Sequence, residues 1–275
     1  MVDIIKAFII GIVEGVTEWL PISSTGHIIL VDEFLKLGVT KEFSKMFNVV
    51  IQLGAILAVV VLYFSKLNPL SHKKTLEIKK QTWALWFKII AACLPAAVIG
   101  ILFDDWLDAH FYNFITVALM LIIYGVIFIV IERKKLKSKI DNVYHIDYKT
   151  AILIGAFQLL ALIPGTSRSG ATIIGALILG VSRGAAAEFS FFLAIPVMMG
   201  ASALKLMKFG FAFTANEISI LIVGFVTAFI VSIVSIKLLM AFIKKHNFSG
   251  FGWYRIILGV ILMGYYFLMV ASVAL

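Results

Sequence analysis

Six long apolar stretches, each long enough to cross a lipid bilayer as a helix, place the main constraint on this chain. A hydrocarbon core about 30 Å thick needs about 20 consecutive apolar residues in a helix. The six stretches lie at residues 47–64, 83–103, 111–131, 189–207, 218–236 and 256–275. Because 62% of the residues are hydrophobic and only 14% are charged, we expect an all-α polytopic membrane protein and not a soluble domain.

Two further apolar stretches, residues 4–31 and 151–181, are interrupted by polar residues and prolines. The interrupting residues are Glu14, Glu18, Pro21 and His27 in the first stretch and Pro164, Gly165 and Arg168 in the second. Irregular backbone at membrane depth is tolerated only where protein or a water-filled cavity covers it. We therefore predict two re-entrant helical hairpins, with a kinked full span as the alternative for each.

The two interrupted stretches resemble each other, which indicates an internal repeat. The first reads Gly-x-x-Glu before Pro21-Ile-Ser-Ser, and the second reads Gly-x-x-Gln before Pro164-Gly-Thr-Ser. Each repeat, about residues 1–140 and 145–275, is then one hairpin followed by three spans. An odd number of crossings inverts the second repeat in the membrane, so the hairpin tips can meet near the midplane. We predict one integral membrane domain over residues 1–275.

Basic loops predict how the molecule is oriented. They carry Lys66, Lys73, Lys74, Lys79 and Lys80 after the first span, and Arg133, Lys134, Lys135, Lys137, Lys139 and Lys149 after the third. Cytoplasmic loops hold an excess of Lys and Arg, so this face should be cytoplasmic, with both termini and the opening of the site outside. The loops also account for the net charge of +9, so we do not expect nucleic acid as a partner.

The first hairpin carries two carboxylates in a helical spacing. Glu14 and Glu18 are four residues apart, which places both on one helix face. They can share a divalent cation or hold one proton between them. The alternative is that one of them is an ordinary helix-end residue at the membrane interface.

Hydroxyl groups and an imidazole follow these carboxylates. Ser23, Ser24 and Thr25 can cap a new helix, whose N-terminus favours an anion. His27 lies three residues beyond Ser24, so one helical turn lets the imidazole approach the hydroxyl as base or general acid. Simple capping is the alternative for the serines, and a structural role is the alternative for His27.

The second hairpin carries one arginine among hydroxyl groups, in the sequence Pro-Gly-Thr-Ser-Arg-Ser-Gly-Ala-Thr at 164–172. A planar guanidinium beside hydroxyls and a helix N-terminus is typical of a phosphate-binding site. Arg168 is thus a candidate phosphate clamp. A plain salt bridge between Arg168 and Glu18 is the alternative.

At these residues the chain resembles the bacterial undecaprenyl-diphosphate phosphatases of the bacitracin-resistance type. The Glu-x-x-x-Glu motif of that family stands at residues 14–18, followed by Leu-Pro-Ile-Ser-Ser-Thr-Gly-His, and its Pro-Gly-x-Ser-Arg-Ser-x-x-Thr motif stands at residues 164–172. The resemblance covers essentially the whole chain. It implies a hydrolase of the bacterial cell membrane that removes the terminal phosphate of undecaprenyl diphosphate and so recycles the carrier lipid of cell-wall synthesis. It also implies a divalent cation, Mg²⁺ or alternatively Ca²⁺.

Residue roles follow from the resemblance. Ser24 would attack the terminal phosphorus, His27 would exchange the proton, and Arg168 would hold the phosphate oxygens. Further contacts to the diphosphate are expected from Ser23, Thr25, Ser167, Ser169 and Thr172. Glu14 and Glu18 would carry the metal, or would position the water that hydrolyses a phosphoryl-enzyme. The nucleophile stays open among Ser24, Ser23, His27 and water.

Two other classes of function fit parts of this pattern. An inverted-repeat secondary transporter or lipid flippase for an anionic substrate would use the same broken helices without covalent chemistry. An intramembrane serine protease would explain the serine and histidine but neither the paired Glu nor the Arg motif. The expected partners are a polyprenyl diphosphate lipid and the membrane lipids, and the sequence leaves the oligomeric state open, a homodimer included.

Overall fold

The computed structural model of the chain describes residues 1–210 and 212–273, without the side chains of residues 104, 105, 108 and 269–273. Within these residues the chain is helical and its β-structure is one isolated bridge between Ile140 and Val181. The α-helices in chain order are α1 (Val2–Thr17), α2 (Ser24–Phe34), α3 (Lys41–Leu62), α4 (Phe64–Leu67), α5 (Leu76–Phe111), α6 (Phe114–Arg133), α7 (Tyr148–Gln158), α8 (Arg168–Ile178), α9 (Arg183–Phe209), α10 (Ala215–Ile243) and α11 (Ser249–Val273). Short 3₁₀ turns cover Val143–His145 and Leu159–Leu162.

The prediction of six spans is confirmed by six helices that are long and apolar enough to cross a membrane. They are Lys41–Leu62, Leu76–Phe103, Phe114–Arg133, Arg183–Phe209, Ala215–Ile243 and Ser249–Leu268. Several begin before the apolar stretch that predicted them, because a polar first turn is helical too. The Ser182 side chain, for example, accepts a hydrogen bond from the Ala185 N–H and so starts α9 at Arg183. Residues 274–275 of the last predicted span lie outside the described part of the chain.

Each interrupted stretch forms two helices with a non-helical segment between them, so both predicted breaks are present. The first break separates α1 from α2 at residues 18–23, and the second separates the 3₁₀ turn after α7 from α8 at residues 163–167. The re-entrant course of these helices through a membrane stays a prediction.

The two breaks end in the same backbone conformation. Ser23 and Ser167 both have φ 74°, and each accepts a hydrogen bond from the N–H of the glycine three residues later. A positive φ is costly for a residue with a side chain and persists where the surrounding structure requires it. When the two stretches are aligned on these capping serines, their offset is one residue larger than when they are aligned on the two prolines. As a result, Ser24 and Arg168 occupy equivalent first positions of α2 and α8.

Close helix contacts hold the two half-helices before the breaks against long spans. Helix α1 packs on α10, and α7 packs on α5. A Cβ atom added at Gly155 of α7 would lie 2.0 Å from the Ala92 carbonyl oxygen of α5. Small residues allow helices in membranes to approach in this way, and the close packing fixes where each break lies.

The largest buried apolar cluster of the described residues includes one residue of the first break. Trp19, within that break, is fully buried, and its ring packs edge-on against Phe191 of α9 with 5.2 Å between the ring centroids. Large apolar side chains on the outer helix faces are exposed, as expected for faces that contact lipid. Thr166 in the second break is fully buried as well, so both breaks hold side chains that protein encloses.

Candidate active site

Ser24 and Glu18 form the closest polar contact between side chains of the first break. The Ser24 hydroxyl donates a hydrogen bond to Glu18 Oε2 across 2.7 Å, and both residues are buried. The chain leaves α1 at Glu18 and turns at Ser23, which brings Ser24 back to the carboxylate. A carboxylate in this position can accept the hydroxyl proton, which activates serine as a nucleophile.

Arg168 joins the two interrupted stretches. Its Nη2 lies 3.1 Å from Glu18 Oε1, and its Nη1 donates to the Ser190 carbonyl oxygen across 2.7 Å. The two tips therefore meet, as the inverted repeat led us to expect. Arg168 makes the salt bridge that the sequence offered as the alternative. Its Nε has no hydrogen-bond partner among the described residues, so the guanidinium keeps donor capacity for an anion.

The other hydroxyls of the second motif bind protein groups. Ser169 Oγ lies 3.3 Å from the carbonyl oxygens of Glu18 and Leu20, and 3.1 Å from Ser167 Oγ. Thr172 is fully buried and its hydroxyl donates to the Arg168 carbonyl oxygen across 2.9 Å. These contacts tie the second tip to the first. That these three hydroxyls bind a diphosphate stays a prediction.

His27 does not hydrogen-bond to Ser24, contrary to the expectation from their spacing. Its Nδ1 lies 2.7 Å from the Ser23 carbonyl oxygen, and its Nε2 lies 2.7 Å from the Tyr254 hydroxyl. The positive φ at Ser23 directs Ser24 to Glu18 instead. Thr25, at the second position of α2, is half-buried beside them. Glu18, and not His27, is therefore placed to accept the Ser24 proton.

Arg255 is a buried site residue that the sequence reasoning missed. Its guanidinium is fully buried and donates to the carbonyl oxygens of both breaks. The acceptors are Pro21 O at 3.1 Å, Gly165 O at 2.9 Å, Thr166 O at 2.9 Å and, on α6, Met120 O at 3.3 Å. The predicted sixth span began one residue later, which placed Arg255 in a loop. Had the span been extended, an arginine inside it would have indicated a functional role.

Tyr254, the partner of His27, carried no signal in the sequence. It is one of eight tyrosines, and tyrosine is common at the ends of membrane spans. Its contact with His27 joins residues that are 227 positions apart. Only the packing of α11 beside the first break reveals it.

Glu14 supplies the feature of this site that best fits a cation. It is fully buried and lies within electrostatic reach of Glu18 and Arg168. Apart from Glu18, no described residue hydrogen-bonds to either carboxylate oxygen of Glu14. No cluster of three or more His, Cys, Asp or Glu side chains suited to a metal occurs in the described chain. A cation held by two carboxylates would take its other ligands from water and phosphate, as Mg²⁺ commonly does.

The chain is similar to known proteins over nearly its whole length. The family model described as "Bacitracin resistance protein BacA" matches residues 7–261. An undecaprenyl-diphosphatase of Enterococcus faecalis is 64% identical over 95% of this chain and 96% of its own. Proteins of the same name from Desulfitobacterium hafniense and Acetivibrio thermocellus are 62% and 60% identical, each over 97% of this chain and over 97% and 98% of their own. The matched region includes both breaks.

Proposed function

The chain belongs to the bacitracin-resistance protein BacA family, and we propose that it hydrolyses undecaprenyl diphosphate at the site where its two breaks meet. The products are undecaprenyl phosphate, the carrier lipid reused in cell-wall synthesis, and inorganic phosphate. The main observation that supports this site is that Ser24 and Arg168 both contact the same carboxylate, that of Glu18.

Helix geometry supports an anionic substrate here. Ser24 and Arg168 are the first residues of α2 and α8, so two helix N-termini begin at the site. The free N–H groups and positive dipole end of a helix favour a phosphate. Together with the guanidinium of Arg168, they provide positive potential at the position where negative charge accumulates during phosphoryl transfer.

The chemistry follows in two balanced steps. Ser24 Oγ attacks the terminal phosphorus while Glu18 takes the hydroxyl proton, and the bond from that phosphorus to the bridging oxygen breaks, releasing undecaprenyl phosphate. Glu18 passes that proton to the departing phosphate oxygen and is again a free base. Water then attacks the phosphoserine and gives its proton to Glu18, which returns it to Ser24 Oγ as the bond from phosphorus to that oxygen breaks, so inorganic phosphate is released and Ser24 is restored. Arg168 holds the transferring phosphoryl oxygens, and His27 carries a proton to or from the bound phosphates.

Glu14 and Glu18 would hold a divalent cation, for which Mg²⁺ is the choice that oxygen ligands favour. Such a cation would neutralise charge on the diphosphate oxygens. Its role can be measured as the Mg²⁺ concentration that gives half-maximal phosphate release. We expect Glu14→Gln to raise that concentration severalfold in a protein that still folds. An unchanged Mg²⁺ titration in a Glu14→Gln variant of low activity would assign Glu14 to proton transfer or water positioning instead.

The basic loops support a site that opens on the outer side of the cell membrane, with both termini outside. Thr25, half-buried at the site, can report this as cysteine in a background where the buried Cys93 is Ala. Thr25→Cys should react with a membrane-impermeant thiol reagent added to intact cells, whereas Lys73→Cys in the basic loop should not. Reaction of Thr25→Cys only after the cytoplasmic side is opened would reverse this orientation.

Phosphate release from undecaprenyl diphosphate by the purified protein tests the proposed reaction and its clamp together. Arg168→Lys keeps the charge but loses the planar fork, and an arginine that stabilises the transition state is worth about 10³-fold or more in rate. We expect a loss of that order. Arg183→Lys, which changes an arginine paired with Glu132 outside the site, is the matched control. Binding of the lipid without phosphate release by the wild type would favour a transporter instead.

A further inference from the structure

The two ring nitrogens of His27 are held by the Ser23 carbonyl oxygen and the Tyr254 hydroxyl. The Nδ1 atom of His27 faces the Ser23 carbonyl oxygen at 2.7 Å, and a carbonyl oxygen can only accept. Nδ1 of the neutral ring therefore carries the proton, and Nε2 carries the lone pair. The Tyr254 hydroxyl, 2.7 Å from Nε2, must then donate to it.

The position of Tyr254 is imposed by the fold. The next residue, Arg255, binds the carbonyl oxygens of both breaks and so anchors this turn of α11 at the site. The rings of Tyr254 and His27 lie nearly parallel, with 3° between their planes and 5.6 Å between their centroids. Ring contact and hydrogen bond together leave His27 one orientation.

We propose that Tyr254 is a positioning residue that acts through His27 in the hydrolysis of the diphosphate, an inference that rests on the proposed function. The Ser23 carbonyl oxygen selects the tautomer with the lone pair on Nε2, and the phenol, by donating to that lone pair, holds the ring in one orientation. A bound phosphate that replaces the Tyr254 hydroxyl at Nε2 then meets a ring that needs no reorientation before it exchanges a proton. Tyr254 itself need not touch the substrate.

The kinetic test is Tyr254→Phe, which removes the hydroxyl and keeps the ring. Partners that orient metal-binding histidines are typically worth about 10- to 100-fold in activity. We expect Tyr254 to have an effect of the same order on His27, so kcat should fall about tenfold or more. KM should stay within about twofold, because binding of the lipid is not what the hydroxyl supports. Tyr265→Phe is the matched control, since Tyr265 lies on the same helix and its hydroxyl faces Glu33. An unchanged kcat for Tyr254→Phe, or a raised KM alone, would overturn the proposal.

A double-mutant cycle separates action through His27 from any other effect. If Tyr254 acts through His27, adding Tyr254→Phe to His27→Ala should lower kcat no further. An additional tenfold loss in the double variant would show that the phenol acts independently and would contradict the proposal.

A spectroscopic readout does not depend on activity. In ¹⁵N-histidine-labelled protein, the His27 signals, assigned by their loss in His27→Ala, should show a neutral ring protonated at Nδ1. In Tyr254→Phe the Nε2 signal should move, while in Tyr265→Phe it should stay. An unmoved Nε2 signal in Tyr254→Phe would refute the contact itself. A moved signal in a protein that hydrolyses no diphosphate would refute the proposed function and leave the contact established.

Discussion

Replacement of Arg255 by Lys should uncouple the two breaks without removing the positive charge. In the structure the guanidinium donates hydrogen bonds to four carbonyl oxygens at 2.9–3.3 Å, those of Pro21, Gly165, Thr166 and Met120. A lysine ammonium has three donors at a single point and no planar fork. A lysine ammonium therefore cannot reach all of these acceptors, which lie in the first break, in the second break and on α6.

The size of the effect follows from the acceptors that lose their donor. A buried polar group without a partner costs about 1–3 kcal/mol, so two orphaned carbonyls cost about 2–6 kcal/mol. Part of this cost is relieved if the breaks move apart, and a displacement of about 1 Å at a reacting centre can cost about 10²-fold in rate. We therefore expect Arg255→Lys to lower both the thermal unfolding midpoint and kcat, the latter by about 10²-fold.

The assay is phosphate release per folded molecule, with the folded fraction taken from size-exclusion chromatography. Arg183→Lys is the control for the general effect of replacing an arginine by lysine, because Arg183 pairs with Glu132 away from the breaks. Wild-type kcat and an unchanged unfolding midpoint in Arg255→Lys would refute the argument that Arg255 holds the two breaks in register.

Two predictions concern the scaffold. Gly155→Ala should lower the unfolding midpoint by the equivalent of about 1–3 kcal/mol, because its Cβ would lie 2.0 Å from the Ala92 carbonyl oxygen, whereas Gly200→Ala, with open space around it, should not. Hydrogen bonds from Thr150 lower the pKa of Asp147, the N-cap of α7. The stability lost in Asp147→Ala, about 0.5–2 kcal/mol, should therefore be fully present above about pH 4 and decrease as pH falls further; a difference that stays undiminished in strong acid would contradict this.

The sequence predicted the features that depend on hydropathy and local chemistry. Six spans and two breaks follow from runs of apolar residues and from prolines among polar residues. Helix boundaries were less accurate, because polar first turns such as the one capped by Ser182 extend a helix beyond its apolar part. The meeting of the two breaks was predicted from the repeat, because an odd number of crossings in each half would place the two tips opposite each other, and the contact between Arg168 and Glu18 agrees with it.

The contacts inside the site depended on backbone conformations that residue spacing does not reveal. Helical spacing placed His27 beside Ser24, but the positive φ at Ser23 turns the hydroxyl toward Glu18. Tyr254 contacts His27, and the neighbouring Arg255 contacts Pro21, so each binds a residue more than 200 positions earlier in the chain. No local pattern encodes such distant contacts, so only the packed structure identifies them.

The central claim is that Ser24, activated by Glu18, attacks the diphosphate. The most direct measurement is phosphate release from undecaprenyl diphosphate by Ser24→Ala, normalised to folded protein, beside the exposed Ser65→Ala as control. Loss of the hydroxyl removes the nucleophile and its contact with Glu18, so the rate should fall at least about 10²-fold while Ser65→Ala keeps the wild-type rate. A wild-type rate for Ser24→Ala would contradict the claim and assign the attack to water or another side chain.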